Sequence, residues 1–126
     1  MQNTPNDPWL LPMLKAIRNR PGAYLGHENV RQFSEYTRGY RQARIDLGFP
    51  EFGDGEREIL TEFEAWLKHR LDLAESNWHG WCECIEMLDG TARNMHTFLR
   101  EFEAFLQTRG GSLDLVSGMW PPDDRE

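Results

Sequence analysis

Apolar residues return at helical spacing almost from the start of the chain. In "PWLLPMLKAIRNR", Trp9, Met13, Ala16 and Ile17 fall on one face, with Leu10 and Leu14 beside it. This pattern predicts a helix over residues 8–19. Asp7-Pro8 reads as its start, a capping acid and then a proline whose missing N–H a first turn does not need. Pro12 still lies in that first turn, and Arg20, which precedes Pro21, is pushed out of helical geometry.

Four more helices follow. "ENVRQFSEYTRGYRQARIDLG" predicts a helix over 29–47, its inner stripe formed by Val30, Phe33, Thr37, Tyr40, Arg44 and Leu47. Gly48 is its expected C-terminal cap, with Pro50 just beyond. Gly39, inside this helix at a cost of about 1 kcal/mol, marks an expected close approach by a neighbour. "GDGEREILTEFEAWLKHRL" predicts a third helix over 54–70. Its acids lie near the N-terminal end and Lys68, His69 and Arg70 at the other, as the helix dipole favours. "DLAESN" is a loop. "WHGWCECIEML" predicts a fourth helix over 78–88, presenting Trp78, Trp81, Ile85 and Leu88, and the fifth, over 91–109, buries Met95, Phe98, Leu99, Phe102, Phe105 and Leu106. "RGG" ends it. Beyond a weak strand-like alternation in "SLDLVSGMW" there is no strand pattern, so the expected fold is a single all-α domain of about five helices. Residues 1–7 and 121–126 read as frayed tails.

Composition narrows the function classes. The 126 residues are 39% hydrophobic and 28% charged, within the range of a globular domain. No apolar run approaches the roughly 18 residues a membrane helix requires, and "MQNTPNDPWLLPMLK" has no basic region ahead of its apolar patch, so no signal peptide is expected. Cys82 and Cys84 are too close for an ordinary disulfide; free thiols and a cytoplasmic location are expected. The net charge of −7 is uneven. Residues 1–48 hold seven Lys/Arg against four acids, +3, whereas residues 49–126 hold seven against seventeen, −10. Such a balance disfavours nucleic acid as a partner, because phosphate contacts need a cationic surface, and suits a basic protein.

Candidate chemistry is sparse. "KAIRNRPGAYLG", Lys15 to Gly26, resembles a run near the ATP site of DNA gyrase B subunits. The helix with Glu and Asn that holds magnesium there and the glycine-rich lid motifs have no counterpart in this chain. The expected role is mechanical: proline stops the helix, Gly22 makes the turn, and Tyr24-Leu25 plug back into the core. His69, His79, Cys82, Cys84 and His96 offer only the His79–Cys82 pair on one helix face, short of the four ligands that zinc needs. No nucleophile elbow occurs, and pairs such as Glu58 with Glu62 and Glu83 with Glu86 read as solvated faces. No cofactor, metal or catalytic residue is expected. "EFGDGEREILTEFE", Glu51 to Glu64, sets six acids against Arg57. Its Asp54, Glu56, Glu58, Glu62 and Glu64, with Phe49, Phe52 and Trp66 as candidate apolar anchors, form the candidate partner-binding surface, Phe52 and Trp66 foremost.

The order of these features resembles small bacterial immunity proteins of contact-dependent growth inhibition and polymorphic toxin loci. The resemblance spans Met13 to Phe105 and rests on Arg20, Pro21, Gly22, Tyr24, Leu25, Gly26, Phe33, Gly39, Tyr40, Phe63, Trp66, Leu67, Arg70, Trp78 and Phe102; the family pattern has methionine where Ala23 stands. It implies a cytosolic protein that binds one cognate toxin domain, a cationic nuclease by expectation, and occludes its active site. An acidic interaction module with no toxin partner and a small enzyme are the alternatives.

Overall fold

The helical periodicities close into five α-helices and no strand among the residues that the computed structural model describes, 6–20, 29–118 and 120. These are α1 Leu10–Asn19, α2 Val30–Asp46, α3 Glu56–Arg70, α4 Trp81–Leu88 and α5 Met95–Thr108. The alternation in "SLDLVSGMW" forms a 3-10 turn, Leu113–Leu115, which returns to pack on α1. The domain is all-α. The expected plug of Tyr24-Leu25, with the second half of the gyrase-like run (residues 21–26), lies outside the described residues.

Aromatic rings at helical spacing on α5 set the centre. Phe98 is fully buried and its ring lies 5.5 Å from Phe33 of α2, 5.5 Å from Phe63 of α3 and 5.2 Å from Trp81 of α4. Phe102 continues the contact to Phe63 at 4.9 Å. Each such side chain contributes about 1.5–3 kcal/mol by leaving water, so α5 holds the bundle by touching three helices at once. Short α4 lies between α2 and α3, which buries both of its thiols although they point to opposite sides. Cys82 faces Arg31 and Ser34, and Cys84 faces Glu64 and Lys68. Both are free thiols. Burial pushes the Cys82 thiol up to about 11 and raises Cys84 as well. Neither is expected to react with a thiol reagent at pH 8 before unfolding, since only the thiolate is nucleophilic; rapid labelling of the native protein would contradict this burial.

The helix ends follow local chemistry. After α2, Gly48 takes a left-handed φ of 82°. Its N–H reaches Ile45 O at 2.9 Å and the Phe49 N–H reaches Arg44 O at 2.8 Å, a Schellman closure. Asp72 occupies the same position after α3 with φ 59°, and Leu73 N–H bonds Lys68 O at 2.8 Å. Asn29 caps α2 through Oδ1, which accepts from Arg31 N at 2.9 Å. Two expectations along α2 fail. Leu47 is 72% exposed, because the helix ends at Asp46 and the capping turn carries Leu47 off the inner stripe. A Cβ on Gly39 would meet nothing within 4 Å, so no neighbour requires glycine there. Gly39→Ala is expected to raise stability by about 1 kcal/mol in a denaturant titration; a loss would reveal a constraint on this face.

The link between α4 and α5 is polar. Asp89 accepts from the Thr97 hydroxyl at 2.6 Å and from Thr91 N–H at 2.9 Å. The Thr97 bond first, then those of Thr91, hold its carboxyl down to about 2 against an ordinary 3.8. A folded-state pKa below the unfolded one stabilises the fold above the unfolded pKa and is lost as pH falls through the folded value. Asp89→Asn is therefore expected to flatten the decline in stability between about pH 4 and 2; an unchanged slope would rule out this contribution.

Candidate functional site

The acidic tract that precedes and opens α3 divides into three kinds of position. Asp54 and Glu58 are exposed, with no ion pair within the described residues. Glu62, one turn beyond Glu58 on the same flank, is exposed as well and meets Arg109 at the end of α5. Glu64 turns toward the opposite flank. Its Oε1 accepts from Trp81 N–H at 3.2 Å and its Oε2 lies 3.7 Å from Lys68 Nζ, so it joins α3 to α4.

Glu56 is the clear correction. It is 1% exposed and cannot contribute to a surface. Its Oε1 accepts from Trp9 N–H at 3.1 Å and Gly53 N–H at 3.2 Å, and its Oε2 accepts from Leu11 N–H at 2.8 Å. A helix start leaves its first N–H groups without partners inside the helix and carries partial positive charge. Glu56 answers both needs for α1 from 45 residues away in sequence. Helix α1 thus begins at Leu10 and takes its cap from Glu56; Asp7 does not supply it.

Of the expected anchors, Phe52 and Trp66 are partly buried against the core, whereas Phe49 is 41% exposed. Phe52 stacks on Trp9 at 5.8 Å, with Arg41 and Arg57 over its ring at 5.4 and 5.3 Å. It locks the segment before α1 against the loop before α3. Trp66 lies half-buried, 6.1 Å from Phe63 and 6.0 Å from Phe105, and the Arg70 guanidinium covers it at 5.9 Å while pairing with buried Glu101 at 2.5 Å.

The most exposed tryptophan is one that the helical pattern placed on an inner face. Helix α4 starts at Trp81, three residues later than expected, because Glu83 Oε1 accepts Gly80 N–H at 3.0 Å and fixes the first turn there. Trp78 therefore sits in the loop before α4 and is 79% exposed. The glycine followed three residues later by glutamate was the sequence signal for this boundary. The loop is held from below by Lys68, 5% exposed, whose ammonium donates to Asn77 O at 2.6 Å and Glu75 O at 3.2 Å. Asn77 Oδ1 in turn accepts His79 N–H at 2.9 Å, and the His79 ring stacks on Trp78 at 3.9 Å.

No protein-family model, curated protein or solved structure matches this chain. Chemistry of other kinds finds few groups to work with. Among the described residues no three of His, Cys, Asp or Glu converge as metal ligands. A recess of about 220 Å³ beside α1 is lined, among the described residues, by Pro12, Lys15, Ala16, Asn19, Arg20, Gly118 and Trp120. A second, about 10 Å³, lies against Thr37 and Arg41 and has room for about one water. The Arg41 Nε, buried and without a hydrogen-bond partner, is a donor that such a water would satisfy. No helix of the described residues is long and apolar enough to cross a membrane.

Proposed function

We propose that this protein is an immunity protein that binds and blocks one cationic toxin domain. The observation that carries the reading is uncompensated negative charge. Asp54, Glu58, Asp72 and Glu75 are exposed and make no ion pair within the described residues, in the half of the chain whose balance is −10. Exposed carboxylates of this kind add little to folding, whereas they steer a basic partner and raise its rate of association. The resemblance of the Met13–Phe105 pattern to immunity proteins points the same way. A toxin that cleaves nucleic acid holds its substrate with a cationic surface, and an acidic inhibitor competes for that surface. The test is co-expression with the C-terminal domain of a large secreted protein encoded beside this chain. Survival of cells that otherwise die is the expected result. Death at full expression of this protein contradicts the reading, and tight binding without protection favours an acidic interaction module instead.

A further inference from the structure

We infer that the loop from Asp72 to Gly80 is the docking surface, with Trp78 as the anchor that enters an apolar socket on a cationic protein. This inference rests on the binding role proposed above and names the place where it occurs.

Three independent features of the loop support it. The first is exposure. Trp9 is 2% exposed, Trp66, Trp81 and Trp120 are packed against the core, and Trp78 alone among the tryptophans stands 79% in water. Among the described residues its ring is stacked by His79 and otherwise open to water, and tryptophan is the side chain most enriched at the energetic centres of interfaces. The second is rigidity. A loop that merely spans two helices requires no buried cation beneath it. Here Lys68 gives up water to hold the carbonyls of Glu75 and Asn77. Asn77 N–H bonds Ala74 O at 2.9 Å, its side chain fixes His79, and His79 supports the indole face. Asp72 enters the loop in a left-handed conformation that glycine would adopt at lower cost. Such a loop presents Trp78 already ordered, so binding gives up little conformational entropy.

The third is charge, which selects the partner. From Leu71 to Ala92 the chain holds five acids, Asp72, Glu75, Glu83, Glu86 and Asp89, and no Lys or Arg. Glu83 and Glu86 are occupied by Arg31 at 3.3 and 2.5 Å. Asp72 and Glu75, on the loop itself, remain without an ion pair, and Lys68 is buried beneath the backbone. An exposed tryptophan on a loop that also carries two open carboxylates fits a socket with a basic rim. It is a poor match for nucleic acid or an anionic membrane, both of which the same charges repel.

The experiment measures binding of the wild-type protein and two variants to the secreted protein's C-terminal domain by surface plasmon resonance. Trp78→Ala is expected to weaken Kd at least about 30-fold, mostly by faster dissociation, with an unchanged Tm because the ring is exposed. The double variant Asp72→Lys, Glu75→Lys is expected to slow association about 10-fold or more and to flatten its salt dependence. Wild-type-like binding by Trp78→Ala overturns the docking assignment while leaving the inhibitor reading intact. Loss of binding by Glu58→Lys, Glu62→Lys with Trp78→Ala unaffected transfers the interface to α3 and also overturns it. A wild-type dimer in sedimentation that Trp78→Ala dissolves, with partner binding unchanged, makes a second copy the occupant and overturns it again. Failure of the wild-type protein to bind or protect removes the inhibitor reading itself.

Discussion

Glu56→Ala is expected to cost about 3–5 kcal/mol, the largest loss of any single acidic side chain in this protein. The change removes the acceptor that, among the described residues, serves the N–H groups of Trp9, Leu11 and Gly53. Each buried donor left without a partner costs about 1–3 kcal/mol, and the cost accumulates over the buried N–H groups of Trp9 and Gly53 and the part-buried one of Leu11. The positive end of α1 loses its counter-charge at the same time. Glu56→Gln retains one acceptor oxygen and turns an NH2 toward another, so a smaller but still large loss is expected. Chemical denaturation of both variants, set against Glu58→Ala, checks this directly. Glu58 is exposed and two residues away, on the opposite face of the helix, and its removal is expected to change stability by less than about 0.5 kcal/mol. Equal effects at the two positions would contradict the separation of the acidic tract into a buried brace and an open surface.

Gly53→Ala is expected to be nearly as damaging, at about 3 kcal/mol, for a steric reason. A Cβ at this position would stand 2.4 Å from both Asp7 O and Pro8 Cα. These are backbone atoms, so no rotamer relieves the overlap, and the segment before α1 has to move away. Movement breaks the bond from Asp54 N–H to Asn6 O, 2.8 Å, and draws Trp9 away from Phe52 and Tyr40. The magnitude sits at the upper end of overpacking costs. A melting temperature within a degree or two of wild type would show that the N-terminal segment is not docked as described.

Legibility from sequence divides along the distance over which each interaction acts. Helix α5 shows its 3.6-residue stripe through Met95, Phe98, Phe102 and Phe105, and all four are buried. The Schellman ends at Gly48 and Gly110 were also visible, as glycine just beyond the last apolar position. Fates set by partners far away in the chain were not. Glu56 and Glu58 are both acids in the first turn of α3, and nothing local tells which one meets α1. Phe52 looked like a free anchor because the rings and guanidinium groups that enclose it come from Trp9, Arg41 and Arg57. Gly39 is read as a contact by propensity alone, yet its face is open. Trp78 combined both problems. Its apolar character suggested burial, and the short-range signal that excludes it from α4, Gly80 with Glu83, was weaker than the helical spacing of Trp78, Trp81, Ile85 and Leu88.

Charge also explains why the candidate surface survives these corrections in altered form. Removing Glu56 and Glu64 from it leaves Asp54 before α3 and Glu58 and Glu62 along it exposed, and the fold adds exposed Asp72 and Glu75 on the loop that carries Trp78. An interface needs a desolvated anchor as well as charge, because rim charges chiefly alter association while buried aromatics set the lifetime. Among the described residues Trp78 is the most exposed aromatic side chain, and its loop also carries open carboxylates.

The measurement that bears most directly on an acidic inhibitor of a cationic domain is the affinity between the two purified proteins at 50 mM and 500 mM salt. Nanomolar binding at low salt, weakened at least about 10-fold at high salt through slower association, is the predicted result. Absence of binding at 50 mM, or an affinity that salt leaves unchanged, would contradict it.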